Sequence, residues 1–157
     1  EGHTAVILIT TGIDTFSRIT YDKAMKIVSS AGVPIFTIGV GNLWFKKYGD
    51  MAGADVRMTF LQAQNALKTF ANLTGGAYFD MTFEGEIPGI MKNIAALLRT
   101  QYSLGYVPSN TRAEGKERKV KLLVDIDGDG KPDNDRLDLR YRERYIEAGG
   151  TPNGKKK

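Results

Sequence analysis

The sequence predicts an α/β fold: a Rossmann-like parallel sheet of three strands with flanking helices, followed by a C-terminal antiparallel β extension. Three observations carry this. First, the apolar run Ala5 to Thr10 leads through a helical pattern into a second apolar run, Val33 to Val40, which is the make-up of a parallel strand–helix–strand unit. Second, a further helical stripe ends at Gly75-Gly76 and is followed at once by Ala77-Tyr78-Phe79-Asp80, a third short strand. Third, after Gln101 the apolar period changes from helical to alternating.

Each element has its own signals. Ala5 to Thr10 is apolar on both faces, as a buried parallel strand is, and it ends in the small-polar loop Thr11-Gly12. Thr20 suits the cap of a helix over Tyr21 to Ala31, with Gly32 as its stop and Ala24, Ile27, Val28 and Ala31 as its apolar stripe. Gly41-Asn42 ends the second strand. Leu43 to Met58 reads as a long connection holding Trp44, Phe45, Tyr48 and Met51, of which Trp44, Phe45 and Tyr48 either fold back on the core or form a docking surface. Thr59 with Gln62 has the spacing of a capping box for the helix carrying Ala63, Ala66, Leu67, Phe70, Ala71 and Leu73. Pro88 suits the first turn of the next helix, whose broad apolar face is Ile87, Ile90, Met91, Ile94, Ala95, Leu97 and Leu98. Glu84 and Glu86 suit the positive end of its dipole. Tyr102 to Val107, Lys119 to Ile126 and Leu137 to Tyr145 then read as an antiparallel meander. In its last strand Leu137, Leu139, Tyr141 and Tyr145 face inward, and Asp138, Arg140, Arg142 and Arg144 face outward.

Composition narrows the function classes. With 157 residues, 41% hydrophobic and 25% charged, the chain has the make-up of one globular domain. Cysteine is absent, which removes disulfides, thiol nucleophiles and thiolate metal sites. No apolar run approaches a membrane-spanning length, so no membrane insertion is expected, and no signal peptide is present in this sequence. The formal charge of +4 derives in part from Gly154-Lys155-Lys156-Lys157 and from Arg136, Arg140, Arg142 and Arg144. A basic balance without a reader motif does not make a nucleic-acid protein, and no nucleic acid is expected as a partner.

Several of these stretches resemble one family. Val6-Ile7-Leu8-Ile9-Thr10-Thr11-Gly12-Ile13-Asp14-Thr15-Phe16-Ser17 is similar to the von Willebrand factor type A segment that usually reads leu-leu-thr-asp-gly. Ile35-Phe36-Thr37-Ile38-Gly39-Val40-Gly41 resembles that fold's next strand, and Leu73-Thr74-Gly75-Gly76-Ala77-Tyr78-Phe79 its la-x-x-thr-gly-gly segment. Leu98-Arg99-Thr100-Gln101-Tyr102-Ser103-Leu104-Gly105-Tyr106 and Leu139-Arg140-Tyr141-Arg142 are similar to the closing part of a bacterial relative of that family. The order and spacing of the pieces, over residues 4 to 145, carry the resemblance. It implies a partial type A-like α/β domain over residues 1–100, corresponding to the C-terminal half of that domain. Residues 101–147 would be an antiparallel extension of the same domain, and 148–157 a disordered basic tail.

The resemblance also implies a protein-binding or adhesion module of a larger exported or surface protein, periplasmic or extracellular. The family holds a divalent cation through an Asp-x-Ser-x-Ser loop, a distant Thr and the Asp of Thr-Asp-Gly. Here the first two have no counterpart, and Thr11 stands at the third position with Asp14 three residues on. Thr11 and Asp14 therefore mark a degenerate metal loop, and no intact type A magnesium site is expected. Without the family's central strand, Ala5 to Thr10 is expected to have an open edge, which invites pairing with another chain, either a second copy or the missing half of the domain.

A better cation candidate lies far away. Asp125, Asp127, Asp129 and Asp133, with Gly130, have the spacing of the start of an EF-hand-type calcium loop. Lys131 would add its backbone carbonyl, and Asp135 together with Asp133 would substitute for the missing position-12 acid, where Arg136 stands. The alternative is a polar hairpin loop rich in turn formers.

No catalytic residue is expected. Gly39-Val40-Gly41 follows a strand, but Trp44 replaces the third glycine of a dinucleotide fingerprint. His3 is the sole histidine, and Ser17, Ser29 and Ser30 lack a nucleophile-elbow context. The expected function is non-catalytic binding of a protein partner. The alternatives are a calcium-stabilised structural module and a Rossmann-like nucleotide-dependent enzyme.

Overall fold

The computed structural model describes residues 4–15, 17–30, 32–49, 53–109 and 117–146. In chain order the elements are β1 (Val6–Thr10), α1 (Tyr21–Ser30), β2 (Ile35–Gly39), α2 (Gly41–Tyr48), α3 (Ala54–Thr74), β3 (Tyr78–Asp80), α4 (Ile87–Arg99), β4 (Glu117–Lys119) and β5 (Arg144–Ile146). His3, Ala31, Met51 and the basic tail 148–157 lie outside the described residues.

β1, β2 and β3 form the expected parallel sheet of three strands, in the order β1-β2-β3, with Ile7 opposite Phe36, Ile9 opposite Ile38, and Ile38 opposite Phe79. β2 is central and buried along its whole length. Its two faces meet different helices. Phe36 and Ile38 pack with Ala77, Met81 and the α4 residues Ile90 and Ile94. Thr37 points the other way, donating its hydroxyl to the α3 carbonyl of Leu67 at 3.1 Å. Each large apolar side chain buried this way contributes about 1.5–3 kcal/mol.

α1 begins where Thr20 predicts: its hydroxyl accepts the Lys23 N–H at 3.4 Å. Tyr21 stacks on Phe70 and ties α1 to α3. α3 differs from expectation at its start. It begins at Ala54 rather than Thr59, and the Thr59 hydroxyl donates back to the Asp55 carbonyl as a mid-helix residue does. Phe60, Ala63, Leu67, Ala71 and Thr74 make its buried stripe. Thr74 closes the helix against the sheet, accepting the Ile35 N–H at 2.9 Å. Gly76 is obligatory, because a Cβ there would stand 2.0 Å from the Ile35 carbonyl oxygen.

The long connection expected over Leu43–Met58 is instead mostly helical. α2 occupies Gly41–Tyr48, held by Leu43 against the α4-side core and by Trp44 and Phe45 against Phe60. Its start has no side-chain cap, and no sequence signal marked it. α4 begins at Ile87 with Pro88 in its first turn, as expected. Glu86 immediately precedes α4, at its N-terminus, and its carboxylate is also braced from the preceding turn. It accepts the Thr82 N–H and hydroxyl at 2.8 and 2.9 Å, which holds its carboxyl below the usual range.

The antiparallel extension is smaller than the expected meander. Among the described residues only Glu117–Lys119 and Arg144–Ile146 form a ladder, prolonged by the Val120 N–H to the Glu143 carbonyl. Tyr102 to Val107 forms no strand and is exposed. Between Val120 and Glu143 the burial still alternates through Leu122 and Val124, but a side chain replaces the ladder. The Asn134 carboxamide accepts the Val124 N–H and donates to the Leu122 carbonyl. Arg142, expected to face solvent, is half-buried. It donates to the Ser29 carbonyl, where a cation meets the negative end of α1, and so anchors the extension to the α/β part.

Candidate functional site

Two places combine exposure with unspent binding capacity: the outer edge of β1 and the acidic loop. A third, the carboxyl edge of the sheet, is where folds of this kind bind ligands.

At the carboxyl edge the polar groups satisfy one another. The Thr10 hydroxyl accepts the Gly12 N–H at 3.0 Å, the Thr11 hydroxyl accepts the Ile13 N–H at 3.4 Å, and Asp14 accepts the Ser17 N–H at 2.9 Å. Thr11 and Asp14 thus each brace their own loop, and Asp14 belongs to no cluster of three acidic groups among the described residues. Asp80, at the tip of β3, accepts from the Asn42 amide and, at 3.2 Å, from the Tyr78 hydroxyl. Partial burial and the Asp80 carboxylate push the Tyr78 hydroxyl well above its ordinary value, so it stays a donor. The two glycines that suggested a nucleotide loop have another purpose. A Cβ on Gly39 would lie 2.6 Å from the Tyr78 hydroxyl oxygen, and one on Gly41 2.8 Å from the Phe60 ring. They make room for aromatic rings.

The β1 edge is the opposite case. The Val6 N–H donates to the Pro34 carbonyl, and the Thr10 carbonyl accepts from Val40. With the register, this fixes the phase: Val6, Leu8 and Thr10 turn their backbone groups toward β2, and Ile7 and Ile9 turn theirs outward. No strand of the described residues pairs with that outer edge. Ile7 and Ile9 share the face of Phe36 and Ile38, yet they are 43% and 52% exposed, because the α4 residues cover the neighbouring strand instead. Val6, on the other face, is also exposed. No charged residue, proline or bulge guards the strand.

In the acidic loop the oxygens of Asp125, Asp127 and Asp133 lie within 4.8 Å of one another. The fold of the loop brings them there. Asp125 accepts the N–H groups of Gly128 and Gly130 at 2.7 and 2.8 Å, and Asp133 accepts that of Ile126 at 3.0 Å. The Gly130 and Gly128 amides hold the Asp125 carboxyl below its usual range. The other expected ligands are not gathered. Asp129 turns to Lys131, accepting its N–H at 2.8 Å with the ammonium 3.7 Å away. Asp135 lies in the turn Asn134–Arg136, outside the trio. Arg136 places its guanidinium 3.3 Å from Asp133. The residue at position 12 therefore supplies a positive charge to the cluster where a calcium loop needs a carboxylate.

No family model, curated protein or solved structure matches the chain. Among the described residues no helix is long and apolar enough to cross a membrane.

Sequence reasoning located the β1 edge and the acidic loop but missed three contacts that shape the molecule: Asn42 with Asp80, Arg142 with Ser29, and Arg136 with Asp133. The first two join residues far apart in the chain, so no local pattern reports them. The third was legible, since Arg136 stands at the twelfth loop position.

Proposed function

We propose that this chain is a non-catalytic protein-binding module, of the adhesion type, within an exported or surface protein. The observation that carries this is the outer edge of β1, where the backbone groups of Ile7 and Ile9 face no strand among the described residues and stand beside bare apolar side chains. An exposed apolar strand edge is a template for β-augmentation, in which main-chain hydrogen bonds supply affinity and side-chain pockets supply selectivity. The resemblance of the strand, loop and Gly-Gly segments to type A domains, a Rossmann-like fold, supports the same reading. The carboxyl edge favours it over a nucleotide enzyme, because Gly39 and Gly41 are filled by Tyr78 and Phe60 rather than left open for phosphate. The test is panning of a random peptide library on the wild type and on Ile7→Lys/Ile9→Lys. The expected enrichment is for short, apolar, β-branched peptides retained by the wild type alone. Equal retention by both chains would contradict the proposal.

A second reading rests on the convergence of Asp125, Asp127 and Asp133: calcium stabilises the extension. Its test is thermal melting with calcium and with chelator. A calcium-dependent rise in Tm that Asp127→Ala abolishes is expected, and identical melts would contradict it.

A further inference from the structure

Resting on the protein-binding reading, the geometry points to a particular occupant of the β1 edge: β1 of a second copy of this chain, paired antiparallel about Leu8. Four observations lead there. The first is hydrogen-bond phase. Only Ile7 and Ile9 present outward N–H and C=O groups within the strand, and they flank Leu8 symmetrically. In a two-fold antiparallel pair, Ile7 of one copy exchanges both backbone bonds with Ile9 of the other, and the reverse. Leu8 then meets its own counterpart at a non-hydrogen-bonded position. All outward groups within the strand are satisfied without a slip in register.

The second observation is side-chain pairing. In this register Ile7 and Ile9 of both copies gather on one face, and Val6 stands opposite Thr10 on the other. Cross-strand pairs of β-branched residues are favourable on both faces. The third is charge. The chain carries a net +4, so association of two copies generally opposes like charges. Val6 to Thr10 contains no charged residue, and neither do the neighbours Thr4, Ala5, Thr11, Gly12 and Ile13. This edge is a place where two copies meet without that opposition.

The fourth is space. Adjacent strands stand about 4.8 Å apart, so β2 and its counterpart would be about 14 Å apart, and a helix is about 10 Å across. α4 packs over β2 and β3, so its copy is accommodated on the same face, with the four isoleucines between the two helices. The product is one six-stranded sheet, an ordinary size. A five-residue edge is smaller than a standard interface, so the pairing is concentration-dependent rather than obligate. The exposed segment Tyr102–Val107 is the rival apolar surface. It forms no strand, whereas β1 is a regular strand already in register with β2.

Light scattering coupled to size exclusion, over a wide concentration range, tests this on the full chain. The wild type should move from one to two chain masses as concentration rises. Ile9→Lys should weaken dimerisation about tenfold or more, because the two-fold repeats the loss. Ile9→Pro removes an outward N–H while leaving the β2 ladder intact, and should act alike. Leu104→Lys should leave the dimer unchanged, and circular dichroism checks that each variant is folded. A wild type that is monomeric throughout overturns the inference, as does a dimer that survives both Ile9 variants or that Leu104→Lys dissociates. A monomer that still retains the panned peptides overturns self-pairing alone. A monomer that retains none overturns the protein-binding reading as well.

Discussion

Val6-Ile7-Leu8-Ile9-Thr10 and Ile35-Phe36-Thr37-Ile38-Gly39 lie side by side in one sheet and draw on almost the same residue types. The second is buried at every position, and the first is half in solvent. What separates them is their neighbours. β2 has a strand on each side, α4 on one face and α3 on the other, whereas among the described residues β1 has one neighbouring strand and a half-exposed face. The comparison teaches that an apolar strand specifies burial but not what supplies it. Where the described fold does not supply it, the strand retains unsatisfied binding capacity.

The sharpest way to break this contrast is to truncate corresponding residues. Ile38→Ala should destabilise by about 2–5 kcal/mol through lost burial and a cavity. Chemical denaturation would measure it, and a cost like that of Ile9→Ala would dissolve the distinction. Next is Thr74→Val, which removes the acceptor of the buried Ile35 N–H and should cost about 1–3 kcal/mol. Then comes Ile9→Ala itself, expected at about 1 kcal/mol or less in dilute protein, since half of the side chain is already in water.

The acidic loop supplies a control outside both strands. Arg136→Glu places an acid at position 12 and removes the guanidinium beside Asp133, so calcium should raise Tm more in this variant than in the wild type. Acid acts in the opposite sense. The Asp125 carboxyl is held below its usual range, so its contribution is fully present above the ordinary carboxylate pKa. It fades as pH falls through the lowered folded value. Asp125→Asn should flatten the acid limb of the stability curve, and Ile9→Ala should leave it unchanged.

Much of this contrast was legible in the residues. The parallel sheet, α1 with its Thr20 cap and α4 with Pro88 all follow local rules and stand where those rules put them. α2 was not legible, because Gly41-Asn42 looks like the end of a strand and the helix is held by Leu43, Trp44 and Phe45 packing rather than by a cap. The ladder is shorter than the alternation for a related reason. Alternation reports which side chains turn inward, and Leu122 and Val124 do alternate, but it does not report whether the backbone finds a ladder or a brace such as Asn134. In the acidic loop, spacing announced six candidate groups. Three carboxylates converge, because Asp129 has Lys131 beside it and Asp135 lies in the following turn.

Residue-resolved hydrogen exchange along β1 and β2, at low and at high protein concentration, tests the central claim most directly. The amides of Phe36, Thr37 and Ile38 face neighbouring strands and should exchange slowly at every concentration. Those of Ile7 and Ile9 should exchange fast in dilute protein and slow toward the rate of Leu8 as concentration rises. Ile7 and Ile9 amides that stay fast at every concentration, or that are already slow in the dilute monomer, would contradict an open edge that a second copy completes.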